Sequence, residues 1–404
     1  MKKKILFLGA APTQIPPIQY ALEQGYHVIT CDYLPDNPGH RLAHESYNVS
    51  TTDKDAVLEI AMRLGIDAIV AYASDPAAPT AAFVSARLGL PGNPYQSVLT
   101  LARKDLFRAF LEENGFNVPL SRSFKEQERE DARAWLMEIG LPAFVKPVDS
   151  SGSKGVTRLD MPEKFNEAFD HALKFSHEKM VVVEAQITRA HYQVAGDGFL
   201  VNGKLAFRCW ADEHFDKLCN GLVPIGQTFP TSHPEAWLQV AHDESQRLLT
   251  LLDMKTGALN FDFLFTKNGE LFFLELGPRN GGCLIPEVIR YSTGIDLIKC
   301  TVDAALGLPC KDLIQTRPCG FWSSYMIHSI ETGIFEEIWF SERIKTRIVT
   351  MDLWVSPGDK VEKYLGSNHT LGTMILRFES LDEMLEIVDN MEHDIRVICE
   401  ATET

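Results

Sequence analysis

Residues 260–279 read NFDFLFTKNGELFFLELGPR, two apolar runs joined by residues 267–269, Lys-Asn-Gly. Asn-Gly tolerates the positive φ angles of tight hairpin turns, so this stretch predicts two antiparallel strands. Asp262 and Glu275 each lie between apolar neighbours, and successive side chains of a strand point to opposite faces. The hairpin therefore predicts that the two carboxylates meet on one face, at the end away from the turn.

Two carboxylates in an apolar setting are costly unless a cation compensates them. A hard divalent ion, first of all Mg²⁺, fits because it takes carboxylate oxygens and is commonly shared with substrate phosphates. Arg279, four residues beyond Glu275, offers a forked donor for phosphate or carboxylate. The alternative is two solvated acids and an ordinary surface arginine, which the apolar surroundings and the loop 277–282 (GPRNGG) disfavour.

A second motif is a lysine-bearing apolar strand that leads into a small-residue loop. Residues 144–147 read FVKP and residues 149–156 read DSSGSKGV. Glycine and serine let backbone N–H groups approach phosphate oxygens closely. The loop differs from a Walker A loop because Lys154 precedes glycine rather than Ser or Thr. A solvated hairpin is the alternative for the loop, but Lys146 is costly to leave unpaired within an apolar strand.

The first ninety or so residues alternate short apolar runs with helical stretches, which predicts a parallel α/β sheet. Ligands of such sheets bind beyond the carboxyl ends of the strands, so the loops 9–13 and 73–75 are candidates. The apolar run 5–11 after three lysines imitates a signal peptide, but it is short and meets Pro12, so we expect a buried first strand. Apolar spacing further predicts one helix over residues 97–113.

The composition limits the function classes. The chain has 404 residues, 45% of them hydrophobic, which suggests two or three domains. Its net charge of −16 argues against nucleic acid or an anionic membrane as the main partner. The eight cysteines contain no Cys-x-x-Cys pair, which favours reduced thiols in a cytoplasm. No apolar stretch approaches the ~20 residues that span a bilayer.

Taken in chain order, six side chains carry a resemblance. Lys104 lies on a predicted helix, Lys146 precedes the Gly/Ser loop, Glu184 ends an apolar strand, and Asp262 precedes the Glu-Leu-Gly-Pro-Arg run that ends at Arg279. This order resembles the ATP-grasp superfamily, particularly its carboxylate–amine ligase branch with purine-biosynthesis and L-amino acid ligase members. The likeness spans most of the chain.

The resemblance implies a fold of mixed α/β and α+β class. A parallel, Rossmann-like pre-ATP-grasp domain would be followed by a two-lobed ATP-grasp domain, which holds the nucleotide and Mg²⁺, and by a small α+β segment. The implied limits are 1–94, 95–310 and 311–404.

The resemblance also implies roles for single residues. Lys104 and Lys146 would bind the ATP phosphates, and Arg279, with Lys146, would serve catalysis by stabilising the transferring phosphoryl group. Asp262 and Glu275 would hold Mg²⁺. The other implied nucleotide contacts are a flap of Gly152, Ser153, Lys154 and Gly155, and an adenine site of Glu184, Ala185 and Ile187.

Two positions depart from the family pattern. His191 stands where many members carry an acid for the ribose hydroxyls; imidazole can serve there, and a surface histidine is the alternative. Gly277 stands where members usually carry a metal-ligating asparagine. Asn260, Asn280 or a water are the candidates to replace it.

The implied activity is ATP-dependent joining of a small carboxylate to a small amine through an acyl-phosphate, with release of ADP and phosphate. The implied setting is cytoplasmic, without nucleic acid or membrane partner, and is compatible with a homodimer. One alternative is an ATP-binding sensor or scaffold without ligase activity, which the missing asparagine keeps open. The other is an NAD(P)-dependent oxidoreductase, but only Gly9 of its three-glycine fingerprint is present.

Overall fold

The structure, a computed structural model, describes residues 2–400. Its amino-terminal part is a four-stranded parallel sheet in the order β3-β2-β1-β4, flanked by helices, as the alternating pattern predicts. The run after the opening lysines is a buried strand. The elements are β1 Lys4–Leu8, α1 Ile15–Glu23, β2 His27–Cys31, α2 Pro38–Leu42, β3 Glu45–Tyr47, α3 Lys54–Leu64, β4 Ala68–Ala71 and α4 Ala78–Leu88.

Two helices, α5 (Tyr95–Ala102) and α6 (Lys104–Glu113), replace the single helix predicted over residues 97–113. Arg103 between them is extended, with φ −114° and ψ 120°, so that prediction was wrong. Its guanidinium binds Asp105 in the first turn of α6, an acid that the helix dipole favours there. The break puts Lys104 at the start of a helix instead of in its middle.

A small antiparallel sheet in the order β5-β8-β6-β7 follows, with two helices packed on one face. Its lysine-bearing strand and its small-residue loop lie where the sequence predicts them. The elements are β5 Ser121–Lys125, α7 Arg129–Ile139, β6 Ala143–Pro147, β7 Thr157–Leu159, α8 Phe165–Phe175 and β8 Met180–Ala185.

An eight-stranded antiparallel sheet in the order β13-β12-β9-β10-β11-β14-β18-β16 forms the centre of the molecule. The predicted hairpin is its edge, and Gly269 in the hairpin turn has φ +78°. The elements up to residue 305 are β9 Gln193–Val201, β10 Lys204–Phe215, β11 Pro224–Phe229, α9 Glu235–Leu251, β12 Gly257–Phe265, β13 Leu271–Gly277, α10 Ile285–Thr293 and α11 Leu297–Ala305.

The carboxy-terminal part adds three strands to this sheet and forms a small sheet of its own, in the order β17-β15-β19. Pairing of β11 with β14 makes the central sheet continuous across the predicted limit at residue 310. The remaining elements are β14 Phe321–Ile327, β15 Gly333–Phe340, α12 Glu342–Lys345, β16 Ile348–Leu353, β17 Lys360–Val361, β18 Gly372–Phe378, α13 Leu381–Asp389 and β19 Ile395–Glu400.

The mixed α/β and α+β fold class is thus confirmed. The three domain limits themselves stay a prediction. Within residues 2–400 no helix combines the length and the apolar character that crossing a membrane would require.

Candidate active site

A cleft of about 600 Å³ separates the small sheet from the hairpin edge of the central sheet. It gathers residues that are far apart in the chain. Most of the predicted site residues line it: Lys104, Lys146, Gly152, Ser153, Glu184, Ala185, Ile187, Asp262, Glu275 and Arg279.

The hairpin brings the two predicted acids together. Asp262 and Glu275 are direct cross-strand partners, whereas the next pair is Phe263 with Phe273. Leu274 is therefore an extra residue in β13, a β-bulge. The bulge changes the alternation: Leu274 lines the cleft beside Glu275 instead of pointing away from it, while Phe273 stays in the core.

A third carboxylate, which sequence analysis did not single out, joins this pair. The Gln193 amide nitrogen donates to Glu213 Oε2 at 2.8 Å and to Asp262 Oδ1 at 2.6 Å. Burial, and then the charges of Glu213 and Glu275, raise the pKa of Asp262 well above its ordinary value. Burial likewise raises the pKa of Glu213 to about 7. A crowded set of partly desolvated carboxylates of this kind favours a bound cation.

The donor set fits Mg²⁺ shared with a polyphosphate. Within the described residues, no three His, Cys, Asp or Glu side chains stand close enough together to hold a metal ion by themselves. Mg²⁺ typically takes one or two carboxylates and completes its shell with waters and substrate phosphates. Asp262 and Glu275 match that pattern.

The packing around Gly277 explains why a residue without a side chain stands at this position. A Cβ atom at this position would lie 2.8 Å from Asp75 Oδ1 and 3.0 Å from Arg279 Cζ. A side chain here, asparagine included, would therefore have to displace the ends of these two side chains, which form an ion pair. Of the candidates to replace it, Asn260 is the cross-strand partner of Gly277 and lines the cleft. Asn280 is fully buried and accepts a hydrogen bond from Thr301 at 2.6 Å.

Arg279 is held by the amino-terminal part of the molecule. Its Nε and Nη2 atoms donate to the two carboxylate oxygens of Asp75, at 2.8 and 2.5 Å. Burial opposes the charge of Arg279, but Asp75 raises its pKa overall. Asp75 belongs to one of the two candidate loops, and it holds the guanidinium at the cleft, which both residues line.

The two lysines are also held in place. Lys104 Nζ lies 2.9 Å from Glu275 Oε1 and donates to the Ser150 carbonyl at 2.7 Å. Lys146 Nζ donates to Glu184 Oε1 at 2.6 Å. Both ammonium groups thus face the cleft with a carboxylate partner.

Glu184 is the centre of a buried ion triad. Besides Lys146, it binds Arg108 through Nε at 2.7 Å. Burial alone would raise the pKa of Glu184, but the charges and hydrogen bonds of these two cations lower it to about 2. Arg108 also donates to the carbonyls of Leu274 at 2.9 Å and Phe273 at 3.3 Å, so it braces the β-bulge. Arg108 follows Lys104 by four residues in α6, so the two side chains lie on the same face of the helix. This spacing could have indicated Arg108 as a site residue.

The Gly/Ser loop has the backbone expected of a flap. Gly152, Ser153 and Gly155 all have positive φ, of 64°, 58° and 76°. Ser153 Oγ donates to the Leu222 carbonyl at 2.6 Å, which ties the loop across the cleft. Lys154 and Gly155 are not among the residues that line the cleft.

His191 lies elsewhere than the ribose prediction requires. The Ala190 N–H donates to the Phe265 carbonyl at 2.8 Å, at the turn end of the hairpin and away from the carboxylates. The exposed His191 therefore packs near His233 and Trp237, with ring centroids 5.8 and 6.3 Å away, and does not line the cleft. His191 is therefore not part of the proposed nucleotide site.

Comparison with known proteins agrees with this geometry. The family model described as "D-ala D-ala ligase C-terminus" matches residues 110–283. An uncharacterised protein of Sinorhizobium fredii is 28% identical over 276 residues, 66% of this chain and 55% of that protein. The formate-dependent phosphoribosylglycinamide formyltransferase of Burkholderia thailandensis is 29% identical over 186 residues, 44% of this chain and 45% of the relative. The chain thus spans about half the length of these two relatives.

The structure of the L-amino acid ligase from Bacillus licheniformis superposes with a TM-score of 0.81 at 19% identity, and covers 99% of both chains. This likeness extends the match over the whole fold. Residues 110–283 thus resemble a ligase domain, and the chain as a whole shares the fold of the L-amino acid ligase. The matched residues include the flap, the carboxylate hairpin and two members of the ion triad, Lys146 and Glu184, whereas Arg108 lies just outside them.

A separate cavity of about 480 Å³ lies between strands β10 and β11 and the carboxy-terminal α13 and β19. None of the predicted ATP-grasp site residues lines it. The charged side chains of the predicted site converge in the cleft instead.

Asp197, on strand β9 beside the carboxylate hairpin, gives a pH prediction. It is fully buried and accepts from the Gly281 N–H at 2.9 Å and from Asn260 at 3.0 Å, and burial raises its pKa to about 7. A carboxyl group whose pKa is higher in the folded than in the unfolded protein stabilises the fold at pH values below its unfolded pKa. This stabilisation is lost as the pH rises through the folded pKa, here about 7. The free energy of unfolding of the wild type should therefore fall as the pH rises from about 5 to 7. We expect this fall to be shallower in Asp197→Asn, by up to about 1.4 kcal/mol per pH unit.

Urea unfolding at several pH values across that window measures the effect. The exposed Asp36→Asn is the matched control and should leave the slope unchanged. An Asp197→Asn slope equal to that of the wild type would show that Asp197 titrates normally in the folded state.

Proposed function

We propose that this chain is an ATP-dependent carboxylate–amine ligase that works through an acyl-phosphate. The observation that carries the proposal is the convergence of Asp262 and Glu275 with Lys104, Lys146 and Arg279 in one cleft. These charges match the needs of a triphosphate and of a phosphoryl group in transfer, whose chemistry is mainly positioning and charge stabilisation.

The proposed reaction has two steps. A substrate carboxylate oxygen attacks the γ-phosphorus of ATP, and the bond from that phosphorus to the β,γ-bridging oxygen breaks, which releases ADP. The amine nitrogen then attacks the acyl carbon, the bond to the phosphate oxygen breaks, and the amine loses a proton as the amide forms. Phosphate leaves with the former carboxylate oxygen.

The chain's own residues supply the positive field for both steps. Lys104 and Lys146 contact the phosphates, and the ion triad around Glu184 fixes the position of Lys146. Arg279, oriented by Asp75, faces the transferring group. Mg²⁺ held by Asp262 and Glu275 would neutralise charge on the phosphates.

The flap and the strand after Glu184 complete the proposed nucleotide site. Gly152 and Ser153 would cover the phosphates, with Lys154 and Gly155 as the rest of the flap. The backbone of Ala185 and Ile187 would meet the adenine, since both residues line the cleft. Because the two oxygens of Glu184 already bind Lys146 and Arg108, we assign Glu184 to positioning Lys146.

The proposed substrates are a small carboxylate and a small amine. The eight cysteines, all within the described residues, are free thiols, which supports the proposed cytoplasmic setting. A homodimer stays a prediction from the resemblance.

The test is an ADP-release screen of the full chain over paired carboxylates and amines, with mass detection of the joined product. We expect ADP release that depends on both substrates, falls to background with excess EDTA and returns with added Mg²⁺. Background release across the whole panel, together with measurable ATP binding, would instead favour the sensor or scaffold. Titration with NADH tests the oxidoreductase, for which we expect no binding.

A further inference from the structure

The cavity of about 480 Å³ lies on the face of the central sheet that points away from the cleft. On strand β10, Glu213 lines the cleft and the next residue, His214, lines this cavity. Successive side chains of a strand point to opposite faces, so the sheet separates the two spaces. They adjoin at Phe215, the end of the strand, which lines both.

The wall of this cavity is mainly apolar. Aliphatic side chains reach it from three elements: Ile225 of β11, Val388 of α13, and Ile395, Val397 and Ile398 of β19. Ile225, Val388 and Ile395 also belong to the hydrophobic core of the carboxy-terminal part, which fixes their positions. An apolar cavity of this size is typical of binding sites for small organic molecules.

The charged groups of the wall are already compensated or exposed to solvent. One carboxylate oxygen of Asp216 accepts from three backbone N–H groups of the loop that follows it, and the other lies 3.5 Å from His328 Nε2. Asp389 accepts from His214 Nδ1 at 2.9 Å and from the Tyr192 hydroxyl. The remaining charged side chains are half-buried or exposed: Lys217, Glu331, Glu392 and Arg396. The wall thus offers no buried charge that waits for a counter-ion among the described residues.

A buried hydroxyl without a partner independently indicates a ligand. Tyr325, on β14, lines the cavity and is 5% exposed. Its hydroxyl makes no hydrogen bond within residues 2–400, yet it is not among the polar atoms that are sealed from solvent, so it opens into the cavity. Burial raises the pKa of Tyr325, which leaves a neutral phenol that can donate and accept. Buried polar groups are nearly always paired, by ligand or water if not by protein.

We infer that this cavity is a binding site for an uncharged, mostly apolar small molecule with one hydroxyl group, which hydrogen-bonds to the Tyr325 hydroxyl. The aliphatic wall suits the apolar body of such a molecule. A charged head group would lose its hydration there without gaining a free counter-charge, which is costly. An anion is further disfavoured because the charges of Asp216 and Glu392 act on the same phenol. The inference goes beyond the proposed function and does not depend on it.

Three probes with the same alkyl chain separate the ligand classes in calorimetric titrations of the full chain: n-octanol, n-octylammonium chloride and sodium octanoate. We expect n-octanol to bind most tightly, with the negative heat-capacity change that marks burial of apolar surface. Tyr325→Phe keeps the ring and loses no protein hydrogen bond, so it should fold as the wild type. It should weaken n-octanol binding by about two- to tenfold, the usual effect of one hydrogen bond. Tyr33→Phe, at a tyrosine that is 66% exposed, is the matched control and should bind as the wild type.

A thiol in the wall reports where the probe binds. Cys399 lines the cavity, whereas Cys319 is exposed and does not. Saturating n-octanol should slow the alkylation of Cys399 by iodoacetamide, measured by peptide mass spectrometry, and leave that of Cys319 unchanged. Equal n-octanol binding by the wild type and Tyr325→Phe, tighter binding of a charged probe, no binding of n-octanol, or an unchanged rate at Cys399 would each overturn the inference. None of these measurements uses ADP release, so a failure of the ligase proposal would leave this inference standing.

Discussion

Glu275→Gln is expected to lower kcat for substrate-dependent ADP release by about 100- to 1000-fold, the usual loss when one preorganised electrostatic contact is removed. Glutamine keeps the shape of Glu275 but not the charge that faces Lys104 and the proposed Mg²⁺ site. The side chain is 44% exposed, so the fold should tolerate the change. Steady-state ADP release at saturating Mg²⁺ measures kcat, and thermal unfolding checks the fold.

Glu270→Gln is the control, because it makes the same exchange at the turn end of the same hairpin, where the side chain is exposed. Its kcat should equal that of the wild type. Wild-type turnover by Glu275→Gln would remove this carboxylate from the catalytic site, and an equal loss in both variants would point to a general effect on the hairpin.

The local part of the site could be predicted because it depends on neighbours in sequence. Asp262 and Glu275 flank a short Asn-Gly turn. Because side chains alternate between the two faces of a strand, the sequence predicts over a few residues which face each carboxylate lies on. The strand with Lys146 was predictable for the same reason. The bulge at Leu274 was not, since Arg108 braces its carbonyls from a distant helix.

The remaining part of the site depends on contacts between distant segments. Glu213 reaches Asp262 through Gln193, and Arg279 is fixed by Asp75, more than 200 positions earlier in the chain. A single sequence carries no periodicity that links such positions. The resemblance placed His191 in the nucleotide site by counting residues after Glu184. That count does not show the direction of the chain, which the hydrogen bond from Ala190 to Phe265 holds at the turn end of the hairpin.

Arg108→Met is expected to lower the free energy of unfolding by about 3 kcal/mol, the lower end of what breaking a buried ion pair costs. The change leaves Glu184 with Lys146 as its only cation and removes the donor from the bulge carbonyls. Methionine fills most of the volume of arginine, so the loss reflects charge more than packing. Urea unfolding at neutral pH, followed by circular dichroism, measures it.

Arg87→Met controls for the exchange itself, because Arg87 is an exposed helical arginine and its replacement should change stability by less than about 0.5 kcal/mol. Arg108→Lys separates charge from geometry: lysine keeps a cation beside Glu184, but a single ammonium cannot also span the two bulge carbonyls. We therefore expect intermediate stability together with reduced ADP release, since the bulge sets the position of Glu275. If Arg108→Met were as stable as Arg87→Met, the buried triad would contribute no net stability, and its function would lie only in holding Lys146.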